Sequence, residues 1–496
     1  MNLASIIDGH PAEAIALVSR GQSTDYETLR EQVAGLRGGL GDLGLETGDR
    51  VAIIAGNNWY FVVSYLSVLG AGLVAVPLNP SNPAAALAHE LREVAASAVI
   101  VSPSGRAAFE EIDRADIASV RHVIGAGFEP DGGLHLDDLL QATPRPVVDR
   151  DPSDLAVLIF TSGTAGAPRA AMLSHGNLYA NIRQTLASDG EVQGAEDVVF
   201  GLLPLFHIFG LNVVLGVSLA VGARVVLVER FDPVSALETI QMHSISVVSG
   251  PPTMWAAFAG IPGSSPDVFS SVRFAISGAA KLPVEVAHAM EAKFGLHLEE
   301  GYGLTEASPV VCSPRGTDAP QGSVGIPVPG VELRLVDAAG DDVLVGDAGE
   351  LLVRGPNVFQ GYWEDAEATA RVLSDDGWLR TGDVAVVDDQ GYLFIVDRAK
   401  DLIIVSGFNV FPAEVEEVLL EHPAIEACAV VGVPHPHTGE SVKAYVKARA
   451  GISVEEDDVI AFCAERLARY KCPGKVWFVD DLPRGLGGKI LRRVLR

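Results

Sequence analysis

Short apolar runs alternate with amphipathic segments through the first 300 residues. The runs have the length of strands: VAIIAG near residue 51, AVIVSP near 98, LAVLIFTSG near 155, ARVVLVE near 223, SVVSGPP near 246 and RFAISGAA near 273. Continuous apolar runs of this length are typical of strands that helices cover on both faces. The pattern predicts an α/β fold of layered subdomains. Several runs end in Gly, Ser or Pro, at the carboxyl edge where open α/β sheets bind ligands.

One apolar run, Phe61–Leu78, has no charged residue over 18 residues, which is the lower limit for a membrane-spanning helix. Gly70, Gly72 and Pro77 divide it. Its second part, AGLVAVPLN, has the β-branched pattern of a central strand. We therefore expect a buried helix followed by a buried strand.

From about residue 320 the pattern changes to short strands between Gly and Asp turns, as in GVELRLVD, GELLVRG and GYLFIVDR. This segment predicts a β-rich subdomain that closes a large domain, residues 1–397. Beyond DRAKD, at 397–401, Pro412 stands at the start of a helix with an apolar stripe through Val415, Val418 and Leu419. ACAVVGVP and VKAYVKA then indicate strands, and DDVIAFCAERLARY indicates a helix. Residues 398–496 are thus predicted to form a small α/β domain.

Composition and net charge argue against several classes of partner and binding site. The chain has 496 residues and a formal net charge of -28, which argues against nucleic acid or an anionic membrane as a main partner. An anionic cofactor would need a locally positive pocket. The four cysteines have no paired spacing, so neither a disulfide framework nor a zinc site is indicated. The first residues, MNLASIIDGH, lack the pattern of a secretory signal, and we expect a cytoplasmic protein.

The stretch FTSGTAGAPRA, residues 160–170, combines a glycine-rich turn, three hydroxyls and one cation, Arg169. Backbone amides and hydroxyls in such a turn can bind phosphate oxygens, and the cation offsets their charge. The chain contains neither G-x-x-x-x-G-K-[ST] nor G-x-S-x-G, which excludes the simplest P-loop and serine-hydrolase interpretations. Taken alone, the stretch is equally compatible with an ordinary Ser/Thr/Gly turn.

Four further motifs decide between these alternatives: GYGLTE (301–306), RTGD (380–383), DRAKDLIIVSGFNVFPAEVE (397–416) and LPRGLGGKILRR (482–493). Together with the glycine-rich stretch, and in this order, they resemble the adenylate-forming superfamily, in its acyl-CoA synthetase branch. The resemblance spans nearly the whole chain. It implies a large domain with a small mobile domain. It also implies an enzyme that converts a carboxylic acid and ATP to acyl-AMP and pyrophosphate, then transfers the acyl group to CoA. The implied cofactors are ATP, Mg²⁺ and CoA.

The resemblance also implies which residues contact the nucleotide. Those assigned to the β and γ phosphates are Thr161, Ser162, Gly163, Thr164 and Arg169. Thr305 would donate to the α-phosphate, and Glu306 would hold Mg²⁺. The residues assigned to adenine are Tyr302, which would stack on it, and Gly278, Ala279, Ala280 and Gly301, which would admit the base. Asp383 and Arg398 would bind the ribose.

Other residues are assigned to the chemistry and to the acceptor. Lys489 would contact the carboxylate and the α-phosphate during adenylation, and His207 would lie near the reacting carboxylate. Lys400 occupies the hinge position of the family. After rotation of the small domain, Ser406, Gly407 and Phe408 would meet the pantetheine arm of CoA.

The glycine-rich stretch departs from the family's T-T-G-x-P-K-G. Ala165 lacks a hydroxyl, Arg169 replaces a lysine with a planar guanidinium, and Ala170 adds a methyl group. An alternative from another class is therefore a catalytically weakened protein that binds acyl-AMP or ATP without turnover.

The resemblance places the acyl pocket along LPLFHIFGLN (203–212), with contributions from Trp255 and SGAA. These mostly apolar residues favour a monocarboxylic acid with an apolar body, which we expect to be a medium or long fatty acid. Ile404 stands where the plant hydroxycinnamate branch usually has Lys; an aryl acid is the alternative. CoA is the expected acceptor and a separate carrier protein the alternative. The sequence does not specify partners beyond these small molecules, and it is compatible with a monomer or a homodimer.

Overall fold

The computed structural model describes residues 1–161, 168–188, 190–398, 403–405, 408–435, 439–467, 469–484 and 490–495. The chain divides into two compact units. The first contains Met1–Glu332 and Val353–Leu379, and the second contains Leu333–Leu352 and Arg380–Arg496. This division passes through the β-rich segment. The boundary expected at 397/398 is the place where the small C-terminal domain would rotate relative to the large one, and this boundary stays a prediction. The predicted site residues Ser162, Gly163, Thr164, Lys400, Ser406, Gly407 and Lys489 lie outside the described residues.

The strands of the described residues are numbered in chain order. The first half of the chain contains β1 (Ile15–Ser19), β2 (Gln22–Asp25), β3 (Arg50–Ile54), β4 (Val74–Leu78), β5 (Ala98–Val101), β6 (His122–Gly125), β7 (Leu134–His135), β8 (Leu155–Thr161), β9 (Arg169–Ser174), β10 (Val198–Gly201), β11 (Arg224–Leu227) and β12 (Val247–Gly250). The second half contains β13 (Phe274–Ser277), β14 (Glu299–Glu300), β15 (Tyr302–Gly303), β16 (Val310–Ser313), β17 (Ile326–Pro327), β18 (Glu332–Val336), β19 (Gly349–Arg354), β20 (Leu379–Val387), β21 (Leu393–Arg398), β22 (Ile403–Val405), β23 (Phe408–Val410), β24 (Ile425–His435), β25 (Gly439–Ala448) and β26 (Lys475–Phe478).

The helices are numbered in the same way. The α-helices are α1 (Tyr26–Asp42), α2 (Trp59–Gly70), α3 (Ala84–Glu93), α4 (Pro103–Glu110), α5 (Leu136–Leu140), α6 (His175–Leu186), α7 (Val217–Val221), α8 (Pro233–Met242), α9 (Pro252–Gly260), α10 (Val284–Phe294), α11 (Ala366–Val372), α12 (Pro412–Leu420) and α13 (Glu456–Ala464). Short 3-10 helices cover Leu3–Ile7, Arg114–Ile117, Pro266–Phe269, Thr305–Ala307 and Arg492–Val494, and Phe209–Gly216 is a π-helix.

Two seven-stranded sheets form the centre of the first unit. One has the order β14-β13-β12-β10-β11-β1-β2 and the other the order β7-β6-β5-β3-β4-β8-β9. Within each sheet the strands pair in parallel except at one edge, where β1–β2 and β8–β9 are antiparallel. The six apolar runs of the sequence are all strands of these sheets, so the predicted α/β class is confirmed.

Burial explains why those runs lack alternation. Every residue of β4, β5 and β12 is buried, because helices cover both faces of each sheet. Around one sheet the core includes an aromatic group of Trp255, Phe258 and Phe269. Trp255 has 0 % of its surface exposed, so it belongs to this core and presents no accessible face to a pocket.

The uncharged run at 61–78 forms most of α2 followed by β4. Ten of the α2 positions, Phe61–Gly70, are buried, and Gly72 takes a φ of 75° in the turn before the strand. The expected buried helix and strand are therefore confirmed. Among the described residues, no helix has both the length and the apolar character needed to cross a membrane.

The second unit contains a four-stranded sheet, in the order β18-β19-β20-β21, and a five-stranded sheet. The latter has the order β23-β22-β25-β24, with β26 paired to β25 in parallel. Pro412 is the first residue of α12, and Val415 and Leu419 pack with Val459 of α13 on that sheet. The predicted elements after residue 403 are thus present.

Candidate active site

The β8–β9 hairpin positions the glycine-rich stretch. β8 is an inner strand beside β4, and β9 pairs with it antiparallel in a register that sets Thr161 opposite Arg169. The Thr161 hydroxyl donates to the Arg169 carbonyl oxygen at 3.4 Å. Thr161 and Arg169 therefore lie together at one end of this hairpin. That end is the carboxyl end of β8, where parallel sheets bind their ligands.

The GYGLTE motif begins directly after β14, contains the short strand β15 and ends within the 3-10 turn Thr305–Ala307. At Gly303 a Cβ atom would lie 2.3 Å from the Pro309 carbonyl oxygen, so only glycine is compatible with this approach. The Leu304 amide donates to the same carbonyl at 3.1 Å. The sequence analysis did not single out Gly303.

Three asparagine side chains hold the backbone that follows Glu306. Asn357 donates to the Ala307 carbonyl at 2.8 Å, Asn212 to the Ser308 carbonyl at 2.7 Å, and Asn181 to the Val310 carbonyl at 2.8 Å. All three side chains belong to buried residues. Because buried carbonyls without donors are costly, these contacts fix the turn that carries Glu306. Asn212 is the last residue of the predicted acyl segment, 203–212, but its side-chain amide supports this turn.

A segment at residues 360–363 joins the hairpin to this turn. Its backbone pairs with β9: the Met172 amide donates to Gly361 at 2.9 Å, and the Trp363 amide donates to Ala170 at 2.8 Å. From this segment the Tyr362 hydroxyl donates to Oε1 of Glu306 at 2.8 Å. The Arg169 guanidinium lies 5.8 Å from the centre of the Tyr362 ring. The structure therefore brings Thr161, Arg169 and Glu306 to one place.

Arg169 also has a carboxylate partner. Its Nε donates to Oδ2 of Asp365 at 2.9 Å. Asp365 is the N-cap of α11, where its other oxygen accepts the Ala368 amide at 2.8 Å. The Ala368 amide contributes most, and Arg169 further, to a pKa of Asp365 below its usual value. The only cation of the glycine-rich stretch is thus paired in this structure.

The predicted adenine contacts lie at the ends of two neighbouring parallel strands. Gly278 follows β13 and Gly301 follows β14, and the Gly301 amide donates to the Ser277 carbonyl at 3.0 Å. A Cβ atom at Gly278 would lie 3.0 Å from the Phe209 ring, which leaves little room for a side chain. Ala279 and Ala280 are exposed, and Ala279 has a φ of 69°. Tyr302, partly buried, comes directly after Gly301.

The residue before this motif is a buried acid. The Glu300 carboxylate accepts the Leu282 amide at 2.9 Å, which ties the end of β14 to the loop after Ala280. Burial raises the pKa of Glu300 to about 7.

In the second unit, the two predicted ribose ligands are cross-strand partners. Asp383 of β20 pairs directly with Arg398 of β21. Asp383 is buried, and its amide donates to the Thr381 hydroxyl at 3.1 Å. The Thr381 hydroxyl in turn donates to the Leu351 carbonyl at 2.8 Å, which anchors the turn before Asp383 to β19.

Comparison with known proteins places this arrangement in a family. Residues 4–363 match the AMP-binding enzyme family, and residues 414–489 match the AMP-binding enzyme C-terminal domain. The chain belongs to the AMP-binding enzymes. The interval between the two matches contains the expected boundary at 397/398.

Individual relatives of this AMP-binding enzyme support the same assignment. A long-chain-fatty-acid–CoA ligase of Bacillus subtilis is 36% identical over 483 residues, covering 91% of this chain and 86% of the relative. A feruloyl-CoA synthase of Amycolatopsis is 38% identical over 485 residues, covering 97% of this chain and 95% of the relative. The crystal structure of ATP-bound MatB from Rhodopseudomonas palustris superposes with a TM-score of 0.91 at 33% identity, covering 100% of this chain and 98% of MatB. The predicted superfamily, its acyl-CoA synthetase branch and the acid–thiol ligase class are confirmed.

The described residues of this AMP-binding enzyme offer a metal few protein ligands. No three of their His, Cys, Asp and Glu side chains form a cluster that could hold an ion. Mg²⁺ is compatible with such a site, because it commonly binds one or two carboxylates together with substrate phosphates and water. Glu306, beside the glycine-rich hairpin, has the chemistry for this role.

His207 precedes the π-helix Phe209–Gly216. The residue is exposed to solvent, yet the atoms around the imidazole desolvate it and lower its pKa. The lowered pKa keeps His207 neutral at pH 7. The Phe209 amide donates to its Nδ1 at 3.4 Å, so the ring lies over the start of the helix.

The sequence analysis missed several residues that shape the site: Gly303, Asn181, Asn357, Tyr362 and Asp365. Only Gly303 carried a local signal, because it is the second glycine of GYG. The partners of the others are distant along the chain: 56 residues separate Tyr362 from Glu306, and 196 separate Asp365 from Arg169.

Proposed function

We propose that this protein is an ATP-dependent acid–CoA ligase that forms an acyl-AMP and pyrophosphate, then transfers the acyl group to CoA. The observation that carries the proposal is the convergence of Arg169 and Glu306 on Tyr362 at the end of the β8–β9 hairpin. Both reactants of the first step, a carboxylate and a triphosphate, are anions. A site that aligns them needs a cation and a metal carboxylate in one place, and this arrangement supplies these two groups.

Each part of the site has a role in that step. Thr161, the turn at 162–164 and Arg169 bind the β and γ phosphates, and Thr305 donates to the α-phosphate. Tyr302 stacks on adenine between the backbones of Gly278 and Gly301, while Asp383 and Arg398 bind the ribose. Mg²⁺, when bound, would supply positive charge that offsets the charge of the phosphates. Glu306 holds the metal, and Lys489 contacts the acyl carboxylate and the α-phosphate.

Arg169 already has a carboxylate partner, which affects how it can bind phosphate. In the structure its guanidinium is paired with Asp365 and about 30% exposed. Binding a phosphate by this side chain therefore involves sharing or exchanging a carboxylate partner. The planar guanidinium has five N–H donors, so it can retain Asp365 through one edge and donate to a phosphate through another.

We propose a fatty acid as substrate, with an aryl acid as the alternative. The 203–212 segment is mostly apolar and contains no charged residue that would pair with a second carboxylate. Neutral His207 does not compete with the reacting carboxylate as a fixed cation. The fatty-acid and feruloyl ligases among the relatives support both candidates equally.

We further propose a cytoplasmic location, since four free thiols are compatible with a reducing environment.

The test combines ATP, Mg²⁺ and CoA with a panel of fatty acids of increasing chain length and of aryl acids, and it measures pyrophosphate release as well as the two final products, AMP and thioester. The proposal expects both products in equal amounts for at least one acid. Pyrophosphate release without thioester would indicate a carrier protein as acceptor. Tight ATP binding without pyrophosphate release for any acid would favour the alternative of a weakened nucleotide-binding protein.

A further inference from the structure

Four side chains of the first unit form a connected series of one ion pair, one cation–π contact and one hydrogen bond, which ends at the proposed metal carboxylate. Asp365 accepts from Arg169 at 2.9 Å, the Arg169 guanidinium lies 5.8 Å from the centre of the Tyr362 ring, and the Tyr362 hydroxyl donates to Glu306 at 2.8 Å. Tyr362 is the member that touches both the cation of the glycine-rich hairpin and Glu306.

Backbone and ring contacts together fix the position of Tyr362. Its backbone pairs with Ala171 of β9, its amide donates to the Thr369 hydroxyl at 2.9 Å, and its ring meets that of Phe359 edge-on at 5.1 Å between centroids. The hydroxyl is therefore presented to Glu306 by a rigid support.

The direction of the hydrogen bond is also settled. The Tyr362 hydroxyl donates to Oε1 of Glu306 at 2.8 Å, because a carboxylate oxygen is the acceptor for a phenol O–H. Hydrogen bonds from a hydroxyl to a carboxylate are short and strong.

We propose that Tyr362 is a positioning residue, which orients the Glu306 carboxylate toward Mg²⁺ and joins that carboxylate to the phosphate-binding cation Arg169. This inference rests on the proposed function, because it assigns the metal to Glu306. Residues that orient a metal ligand commonly change metal affinity by about 10- to 100-fold when they are removed.

The experiment replaces Tyr362 with phenylalanine, which keeps the ring and its packing and deletes only the hydroxyl. Mn²⁺ replaces Mg²⁺, because free and bound Mn²⁺ can be distinguished by electron paramagnetic resonance. Mn²⁺ is titrated into the protein with ATP present, and metal-free ATP binding is measured by calorimetry in the presence of EDTA. We expect Tyr362→Phe to weaken Mn²⁺ binding about 10- to 100-fold and to change metal-free ATP binding less than about twofold.

A matched control is Tyr26→Phe. The Tyr26 hydroxyl is buried and donates to the Ala223 carbonyl at 3.0 Å, but it has no part in this series. We expect this variant to lose stability and to bind Mn²⁺ as the wild type does. Glu306→Gln supplies the second test, because Tyr362→Phe should add little to its loss of Mn²⁺ affinity if the two residues act as a unit.

Unchanged Mn²⁺ affinity in Tyr362→Phe would overturn the inference, and so would equal losses in both tyrosine variants. The titration requires no turnover. A protein that binds Mn²⁺ and ATP but makes no acyl-AMP from any acid would therefore contradict the ligase proposal while the titration still decides the role of Tyr362.

Discussion

Two glycines of one motif have different surroundings, although a single residue separates them. A Cβ atom at Gly303 would lie 2.3 Å from the Pro309 carbonyl oxygen, whereas at Gly301 the nearest atom, the Cys312 carbonyl oxygen, is 3.5 Å away. We expect Gly303→Ala to destabilise the protein by about 1–3 kcal/mol or more, because a backbone carbonyl must move. Gly301→Ala should keep its stability and weaken ATP binding, because the methyl group would meet the adenine.

Calorimetric melting and ATP titration of the two alanine variants check this pair of expectations. Equal melting temperatures for both variants would contradict the steric argument. Unchanged ATP affinity in Gly301→Ala would remove Gly301 from the adenine site.

Glu300 predicts a dependence of stability on pH. Its pKa is raised by burial from 4.5 to about 7, so the folded state binds the proton more tightly than the unfolded state does. The stability that this proton contributes is complete below pH ~4.5 and is lost as the pH rises through ~7. Its size is on the order of 3 kcal/mol, from the free energy of one pKa unit. Glu300→Gln keeps an acceptor for the Leu282 amide and cannot ionise.

We therefore expect Glu300→Gln to melt several degrees above the wild type at pH 8 and close to it at pH 4.5. Glu90, whose pKa burial also raises to about 7, is present in both proteins and cancels in the difference. A constant difference in melting temperature across this pH range would contradict the assignment.

Single residues were predictable only where a local motif carried them. Thr161, Arg169 and Glu306 belong to short strings with a family resemblance, and the structure does bring them together. Tyr362 lies in RGPNVFQGYW, which no chemical pattern distinguishes from a loop. Its role depends on pairing between β9 and residues 360–363, and such long-range pairing is not encoded in local periodicity.

At the scale of elements, the apolar runs predicted the inner strands because burial on both faces demands continuous apolar sequence. The sequence of β9 lacks such a continuous apolar run and did not predict a strand. β9 is an edge strand whose sequence, RAAMLS, has small and polar residues, and its register is set by the partner strand β8. The π-helix at 209–216 was also unpredictable, since its apolar sequence is equally suited to a strand or an α-helix.

Two asparagines that hold different elements near the site are predicted to affect the KM of different substrates. Asn357 holds the turn after Glu306, whereas Asn57, which follows β3, donates to the carbonyls of Gly201, Leu202 and Leu203 at 2.8–3.0 Å and so holds the start of the acyl segment. Alanine at either position removes a buried donor, and each should cost about 1–3 kcal/mol of stability. We expect Asn357→Ala to raise the KM for MgATP and Asn57→Ala to raise the KM for the acid.

Steady-state kinetics with each substrate varied in turn measures this separation, and the melting temperatures show whether the two losses of stability are comparable. Effects of both variants on the same substrate would mean that the asparagines act only through global stability.

For the whole molecule, the sequence predicted a small C-terminal domain, and the family match at 414–489 coincides with its core. The boundary was harder to place. The strands of the β-rich segment pair within their own sheet, so the second compact unit extends back to Leu333–Leu352. Sequence texture changes where element type changes, and compact units divide where contacts are few; the two criteria need not coincide.

The proposed ligase must carry out two steps with residues that lie on one small domain, and this requirement makes a prediction for the whole molecule. Lys489 is assigned to adenylation and residues 406–408 to thioester formation, so the small domain must rotate between the steps about Lys400. Lys489→Ala should lose acyl-AMP formation by about two orders of magnitude or more while still converting preformed acyl-AMP and CoA to thioester. Lys400→Pro fixes one φ angle and should retain adenylation while losing thioester formation. Pyrophosphate release and thioester formation from synthetic acyl-AMP measure the two steps independently, and equal losses in both assays for Lys489→Ala would show that one fixed arrangement serves both reactions.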